Sequence, residues 1–504
     1  MLFALLALLA FSFQGSRPIW EPDEGRYTAI ALEMLDSGDW WTPRLNAEEI
    51  HLAKPPLTYW LLAVSIAFFG HSEWAVRVPA ALAFLLTGFL VFDIARRIGL
   101  PRPQLAALVW GTSLAPFVAA NLATSDVILA LFETGAMAAA VRAGVHREGA
   151  LDRRWVIGMW LVFGCAFLTK GPPALLPLLA LLVYRAWRMR SLAGLFDPIG
   201  IASFTLVGFT WFIAMVGRDP SLLSYFLYYE FVARIVSGVH HRNDSWGGLA
   251  KAYLPMVLAG AFPWLLIAPV SRSRVPPVES RPSAVPFLLT WLLLPLAIFA
   301  VARSRLPLYL LPLFVPAALL LQPFIAKVAQ ERSRTFASVC GLWVITLVAM
   351  KAMAAHAPFH RDDRALSQAV RRSLETMSEA ADGIVFVGHG AAYGLRFYTD
   401  MQVERVDLHL PQTQRTASAR ELVCQEAAAR EHPLWLVPSR QVSEFERVLD
   451  RCGYRVRALA PVGDWESIEV RHGLQRAASA RLIEEAVDLP PPRAAGGRRR
   501  THSR

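Results

Sequence analysis

The chain has 504 residues, 55% of them hydrophobic and only 18% charged, with a formal net charge of +11. A soluble protein of this length carries more charge, and the apolar residues come in continuous blocks of the roughly 20 residues that a membrane helix needs. The class is therefore a polytopic α-helical membrane protein. The blocks do not alternate with period two, which argues against a barrel, and the placement of the basic residues argues against nucleic acid as their partner.

The first apolar stretch, Leu2 to Phe13, has no basic segment before it, unlike a cleaved signal peptide. It reads as a short signal-anchor over 2–20, ending near the interfacial residue Trp20. Directly after it comes Glu21-Pro22-Asp23-Glu24-Gly25-Arg26-Tyr27. Charges at a bilayer edge are expensive and tend to be functional, although a solvated loop end is also rich in charge. From Asp23 to Asp36 the pattern is helical, and Pro55 to Phe69 is apolar, with Pro favourably placed in the first turn. The second stretch is short for a span. It is expected to lie flat in the outer interface, so that the two helices of the first outer loop, 21–74, floor a cavity.

Further spans are expected at 75–95, 104–120, 124–142, 155–169, 171–187, 198–217, 250–270, 286–302, 306–323 and 336–356, for a total of about 11 to 13 transmembrane helices. If the first runs outward, the inner loops hold Arg96, Arg97 and Arg102; Arg142, Arg147, Arg153 and Arg154; Arg185, Arg188 and Arg190; Arg272, Arg274 and Arg281; and Lys327, Arg332 and Arg334. Every inner loop is basic, as the positive-inside rule requires. The outer loops hold Asp23, Glu24, Asp126 and Asp244.

Residues 1–356 thus form a membrane region, 357–475 a soluble outer α/β domain, and 476–504, with Pro490-Pro491-Pro492 and Arg498-Arg499-Arg500, a basic disordered tail. In the α/β domain, strands are expected at 383–388, 433–437, 454–460 and 464–470, with helices at 418–430 and 441–451. Gly388-His389-Gly390 reads as a tight turn rather than a phosphate loop, because G-x-G-x-x-G is absent. Cys165 and Cys340 fall in spans as packing residues, whereas Cys424 and Cys452 fall in the outer domain, where a disulfide is permitted.

Four outer clusters stand out: Asp23, Glu24 and Arg26; His51 and Lys54 with Pro55, Pro56 and Tyr59; Thr124-Ser125-Asp126; and His240-His241-Arg242-Asn243-Asp244. Lys170, and Arg303 with Arg305, are also outer cations and break the charge rule, as an anionic ligand would require. Several cations at one membrane face suit a phosphate. Carboxylates beside them suit proton removal from an attacking hydroxyl, and carboxylate with His suits a divalent metal. Apolar walls suit a lipid tail. For each cluster alone a bland reading competes: Lys54 snorkelling, or Asp126 capping a helix.

The stretches Asp23-Glu24-Gly25-Arg26-Tyr27, Gly38-Asp39-Trp40, Lys54-Pro55-Pro56-Leu57-Thr58-Tyr59-Trp60, Arg77-Val78-Pro79, Thr124-Ser125-Asp126, Leu168-Thr169-Lys170-Gly171-Pro172 and Leu306-Pro307-Leu308-Tyr309-Leu310-Leu311-Pro312 occur in this order. In these the chain resembles the membrane glycosyltransferases that use polyprenyl-phosphate sugars. These are the protein O-mannosyltransferase-like proteins of GT-C fold, and in particular the bacterial branch containing the aminoarabinose transferases of lipid A. The likeness covers most of 17–320. It implies Asp23 as catalytic base, Asp126 as a second acid of the site, Arg26, Lys54 and Arg242 on the lipid phosphate, and His240 or His241 as a metal ligand. One position departs from the family pattern: the acid usual before the Lys-Pro pair is Ala53 here. Either a metal is held otherwise, by Glu48, Glu49 or His51, or the enzyme works without one.

The expected function is inverting transfer of a sugar from a polyprenyl-phosphate donor to a lipid, glycan or protein acceptor. The expected location is the outer, periplasmic face of the bacterial cytoplasmic membrane, with the C-terminal domain on that side. The phosphate is expected to meet Arg26, Lys54, Arg242, Lys170 and Arg305, with Glu24, Tyr27 and Tyr59 nearby and His240, His241 and His51 as metal candidates. The alternatives are a flippase for a lipid-linked sugar, which would carry midplane charges and inverted repeats, and a degenerate membrane scaffold.

Overall fold

The computed structural model describes residues 2–232, 243, 245–268, 284–356, 362–388, 390–408 and 419–472. His240, His241, Arg242, Asp244, the basic residues Arg272, Arg274 and Arg281, His389 and the tail 476–504 lie outside the described residues. The chain divides into two units. One comprises Met1–Arg364 with Ala392–Tyr398, and the other Ala365–Ala391 with Thr399–Arg504. The division falls close to the expected boundary at 357, but the short segment Ala392–Tyr398 joins the first unit.

The first unit is helical. Helix α1 (Leu2–Phe11) has 10 residues, about half of the expected span 2–20. The helix ends because the chain turns polar. Gln14 donates through Nε2 to the carbonyls of Ala120 at 2.9 Å and Arg77 at 3.3 Å, and Arg17 is drawn into an ion pair. Helix α2 (Asp23–Ser37) begins with two acids, favourable at the positive end of the helix dipole. It stops at Gly38, whose left-handed backbone (φ 69°) suits glycine. Helix α3 (Leu57–Phe69) follows Pro55-Pro56 as expected.

Helix α4 (Glu73–Arg97) is capped by Ser72, which accepts from the Ala75 N–H at 3.2 Å, and ends in Arg96 and Arg97. Where one span was expected over 104–120, a break at Ser113 leaves α5 (Gln104–Thr112) and α6 (Leu114–Ala119). Helices α7 (Ser125–Ala143), α8 (Arg153–Lys170), α9 (Leu176–Tyr184) and α10 (Pro198–Arg218) follow. Later helices cover Trp246–Gly260, Ala284–Val301, Phe314–Glu331 and Ser333–Ala354.

Among the described residues, 5 helices are long and apolar enough to cross a membrane: Glu73–Arg97, Pro198–Arg218, Ala284–Val301, Pro307–Glu331 and Ser333–Ala354. The chain is a multi-pass membrane protein. The other expected spans fall below that measure for local reasons: α5 and α6 are split, α9 has 9 residues, and α7 carries Asp126, Glu133 and Arg142. Helix α7 packs against α4 and α8, and α8 against α10. The apolar core runs through them, with Phe84, Trp110, Met137 and Phe163 buried. This packing carries the N-terminus of α7 to the same end of the unit as α2 and α3.

The second unit holds a five-stranded mixed sheet of order β2-β1-β3-β5-β4. Strand β1 (Ile384–Val387) is fully buried and pairs in parallel with β2 (Val403–Val406) and β3 (Leu434–Pro438). Strand β5 (Trp465–His472) runs antiparallel to both β3 and β4 (Tyr454–Ala458). Helices Ala419–Ala429 and Val442–Arg451 pack on a core of Val385, Trp435, Phe445 and Ile468. Strand β2 was not foreseen, because Val403-Glu404-Arg405-Val406 has too few apolar residues to mark a strand. Cys424 and Cys452 form the disulfide that the outer placement permitted. Gly388 and Gly390 both have positive φ, as a tight turn requires.

Candidate active site

Three short segments of the first unit meet at one end of α7. Tyr27, one turn into α2, donates its hydroxyl to Ser125 Oγ at 3.0 Å. Lys54, just before α3, donates to Tyr27 Oη at 2.9 Å and to Ser125 Oγ at 3.3 Å. Tyr59 is buried with its ring centroid 5.2 Å from that of Tyr27. Lys170, the last residue of α8, is paired with Asp126 and lies 4.6 Å from the centre of the Tyr309 ring. Asp126 therefore does not cap α7 as the bland reading had it. Its Oδ1 is turned to a lysine from the neighbouring helix, and the N-cap residue Thr124 makes no side-chain cap.

Lys54 and Lys170 line an open cavity of about 180 Å³ with Ala53, Leu129, Glu133, Phe212, Phe299 and Tyr309. Its walls are mainly apolar, and the Lys54 and Lys170 side chains stand among them. Burial opposes the charge of Lys54, but Tyr27, Asp126 and Tyr309 outweigh it and hold the ammonium above its ordinary value. Burial pushes the Tyr59 phenol well up, with Tyr27 adding to the effect and Arg26 opposing it. The Lys54 ammonium is thus held at the cavity by its bond to the Tyr27 phenol.

Asp23 lies one helical turn before Tyr27. It accepts from Arg26 Nη2 at 2.5 Å, and both side chains keep access to solvent, 50% for Asp23 and 31% for Arg26. Arg26 also donates through Nε to the Pro22 carbonyl at 3.1 Å. A carboxylate that is exposed and held by a guanidinium is available to a ligand from outside.

Glu24 is different from what its place in the motif suggested. It is 2% exposed, and its carboxylate faces the protein interior. Arg17 grips it at 2.7 and 2.9 Å, Arg77 at 2.9 and 3.1 Å, and the N–H groups of Trp20 and Ala123 add bonds at 3.1 Å. Burial works against ionisation, but the two guanidinium groups override it and hold the Glu24 carboxyl below the ordinary range. Glu24 thus ties α2 to α4 and to the turn that leads into Ser125 and Asp126. Arg77 carried a signal in the sequence, a cation near the start of an apolar span. Arg17 carried none beyond lying before the motif.

Arg305 was expected on a phosphate. The structure spends it on its own chain: Nη1 donates to the Asn243 and Ser245 carbonyls at 2.8 Å, and Nη2 to the Ala300 carbonyl at 3.0 Å. Its neighbour Ser304 lines the cavity, so Arg305 shapes the wall rather than the lining. Arg242, His240 and His241 lie outside the described residues. His51 sits on the approach to Lys54, with its backbone N–H bonded to the Pro43 carbonyl at 2.8 Å.

A metal does not fit the residues described. Ala53 presents a methyl to the cavity where the resemblance expects an acid. Glu49 accepts from the Tyr393 hydroxyl at 3.1 Å. Among the described residues, no three His, Cys, Asp or Glu side chains are grouped to hold an ion.

Residues 53–216 match the dolichyl-phosphate-mannose-protein mannosyltransferase family. The crystal structure of ArnT from Cupriavidus metallidurans bound to undecaprenyl phosphate superposes with a TM-score of 0.70, covering 93% of this chain and 97% of that one at 21% identity. The fold is GT-C. In sequence, the chain is 32% identical over 357 residues to an undecaprenyl phosphate-alpha-4-amino-4-deoxy-L-arabinose arabinosyl transferase of Aeromonas hydrophila, covering 68% of this chain. It is 34% identical over 339 residues to the protein of the same name in Pectobacterium carotovorum, covering 65% of this chain. The chain spans less than two thirds of these relatives, 63% and 58% of their lengths. The resemblance to polyprenyl-phosphate sugar transferases carried by the motifs is borne out by these likenesses, and the GT-C fold joins the segments that hold those motifs.

Proposed function

We propose that the chain is an inverting glycosyltransferase that moves a sugar from undecaprenyl phosphate, or a similar polyprenyl phosphate, to an acceptor at the outer face of the bacterial inner membrane. The observation that carries this reading is the meeting of Lys54, Tyr27, Ser125, Asp126 and Lys170 beside an apolar-walled cavity that the two lysines line. A lipid phosphate has the matching chemistry, an anionic head on a hydrocarbon tail. The names of the curated relatives supply the same donor class.

In this reading an acceptor hydroxyl attacks C1 of the sugar from the face opposite the phosphate. The bond from C1 to the phosphate oxygen breaks as the new bond forms, and the polyprenyl phosphate leaves with the electron pair. Asp23 takes the hydroxyl proton; it is half exposed and paired with Arg26. Lys54, Arg26 and Arg242 stabilise the departing phosphate, a form of electrostatic help that often dominates transfer chemistry. Asp126 anchors Lys170 at the same end. In this reading no step needs a metal, in keeping with Ala53 in the cavity lining, and chelation should leave turnover unchanged.

The test is transfer from a defined polyprenyl-phosphate sugar in reconstituted membranes, comparing wild type with Asp23→Asn and Asp126→Asn. The reading expects a loss of about 100-fold or more for Asp23→Asn, the range of a lost general base. Full turnover in both variants removes the assignment, and movement of the lipid-linked sugar without bond cleavage makes the chain a flippase.

A further inference from the structure

The segment Ala392–Tyr398 belongs to the first unit, although the residues on either side of it belong to the second. It lies along α2 as a buried strap, with Ala392, Tyr393, Leu395 and Arg396 each 5% exposed or less. Its polar groups bond the segments around α2. The Gly394 N–H donates to Glu21 Oε1 at 2.7 Å, just before the helix. Arg396 reaches the far end, donating through Nη1 to Glu33 at 2.5 Å and through Nη2 to Asp36 at 2.8 Å. The Tyr398 hydroxyl accepts from the Ile19 N–H at 2.9 Å, and His71 donates through Nε2 to the Phe397 carbonyl at 2.8 Å.

Gly25 stands inside the acidic motif yet has no side chain to offer the chemistry. The strap gives it a reason. A Cβ on Gly25 would stand 2.8 Å from the Gly394 nitrogen, and a Cβ on Gly394 would stand 3.1 Å from the Gly25 Cα. Glycine at both positions lets the two backbones come this close. At about 100° per residue, Gly25 and Asp36 point the same way, and Asp23 and Tyr27 point roughly opposite. The strap therefore backs α2 on the side away from the site residues. The pair of Asp23 with Arg26 is internal to α2, so it moves with the helix and does not fix where the carboxylate sits. Glu24 pins the first turn through Arg17 and Arg77. Arg396 on Glu33 adds a second point about 14 Å further along the axis, and two separated points fix the tilt of a helix as well as its position.

We propose that Arg396 is a positioning residue for transfer: through Glu33 and Asp36 it fixes the tilt of α2 and so the place of the Asp23 carboxylate against the acceptor hydroxyl. This rests on Asp23 being the base, as read above. The test is single-turnover transfer by the full chain in reconstituted membranes, with Arg396→Gln and Asp23→Asn made singly and together. Misplacing a catalytic group by about 1 Å costs on the order of 100-fold, so Arg396→Gln should slow transfer by roughly 10- to 100-fold. Binding of undecaprenyl phosphate should stay unchanged, because Lys54 and Lys170 stand on other segments.

In the Asp23→Asn background, Arg396→Gln should add little, since the group it positions is gone and residues acting as a unit lose their effects together. Arg396→Lys, which keeps the charge but reaches one acid at a time, should recover part of the rate. If Arg396→Gln leaves transfer at the wild-type rate, if its loss multiplies with that of Asp23→Asn, or if it weakens donor binding, the proposal is overturned. Should Arg396→Gln fail to fold, Gly394→Ala takes its place in the same cycle, because it presses the strap away from Gly25 without unpairing a buried charge. No transfer by the wild type overturns the donor reading, and full turnover in Asp23→Asn overturns the base assignment; either takes this proposal with it. Multiplying losses overturn this proposal alone and leave both readings standing.

Discussion

Replacing Glu24 by Gln keeps the shape of the side chain and removes its charge. In the native protein Oε1 accepts from Arg17 Nη2 and Arg77 Nε at 2.9 Å and from Ala123 N at 3.1 Å. Oε2 accepts from Arg17 Nη1 at 2.7 Å and from Arg77 Nη2 and Trp20 N at 3.1 Å. Whichever way a glutamine amide turns, its NH₂ points at donors and loses all bonds on that side. Two guanidinium groups, 7% and 1% exposed, are left without their counter-charge. Removing one partner of a buried ion pair costs about 3–5 kcal/mol. In a thermal melt followed by size-exclusion in detergent, this lowers the midpoint by roughly 5 °C or more. When the NH₂ takes the Oε1 side the Ala123 bond is lost too, and in either orientation the weakened cage loosens the turn bearing Ser125 and Asp126, so donor affinity falls as well as stability.

The control is Asp23→Asn. Its pair with Arg26 is half exposed, and such pairs contribute about 0–1 kcal/mol, so its melt should match wild type while turnover falls. The pH response supports the same contrast. With its folded value depressed, Glu24 contributes stability that is present above the ordinary carboxylate range and is lost only in strong acid. If Glu24→Gln melts within about 1 °C of wild type and binds donor normally, the cage does not hold the site and the argument fails.

Three further outcomes follow from the geometry. Lys54→Met should weaken binding of undecaprenyl phosphate by roughly 10- to 100-fold, the range of a charged hydrogen bond, with little change in the melt, as measured by titration in nanodiscs. Glu21 accepts from the Gly394 N–H at 2.7 Å beside the buried carboxyl of Asp363, and burial raises its value to about 7. Here the folded state holds the proton more tightly than the unfolded chain does. Stability should therefore decline as pH rises from about 4 through 7, and a melt series should show Asp363→Asn flattening that slope. Paired Cys424→Ser and Cys452→Ser changes remove a link across 28 residues. They should cost about 2–4 kcal/mol, seen as a lower midpoint for the C-terminal unit that reductant reproduces in the wild type.

Much of the fold was legible because membrane helices and buried strands are written in local composition. Asp23–Asp36 was expected as a helix and Asp23–Ser37 is one; 441–451 was expected and Val442–Arg451 is observed. Strand β2 escaped because half of it is charged, so its pairing with β1 comes from the sheet rather than from its own pattern. The span 2–20 was overread because hydropathy does not register that Gln14 and Arg17 leave the helix to bond distant segments.

The site divides in the same way. The motif residues by themselves determined that acids and cations gather at one end of a membrane helix array, and Lys54, Tyr27, Asp126 and Lys170 do meet there. Only tertiary structure decided which of them face the cavity. Glu24 and Asp23 are adjacent in sequence, yet successive helix positions point about 100° apart, so one is locked inside by Arg17 and Arg77 while the other stays open. Arg305 turns to backbone carbonyls, and Glu133, unremarkable within a long apolar run, is left alone in the cavity wall. A sequence records which charges are present; whether a charge meets a partner or a ligand depends on what packing brings within about 3 Å of it.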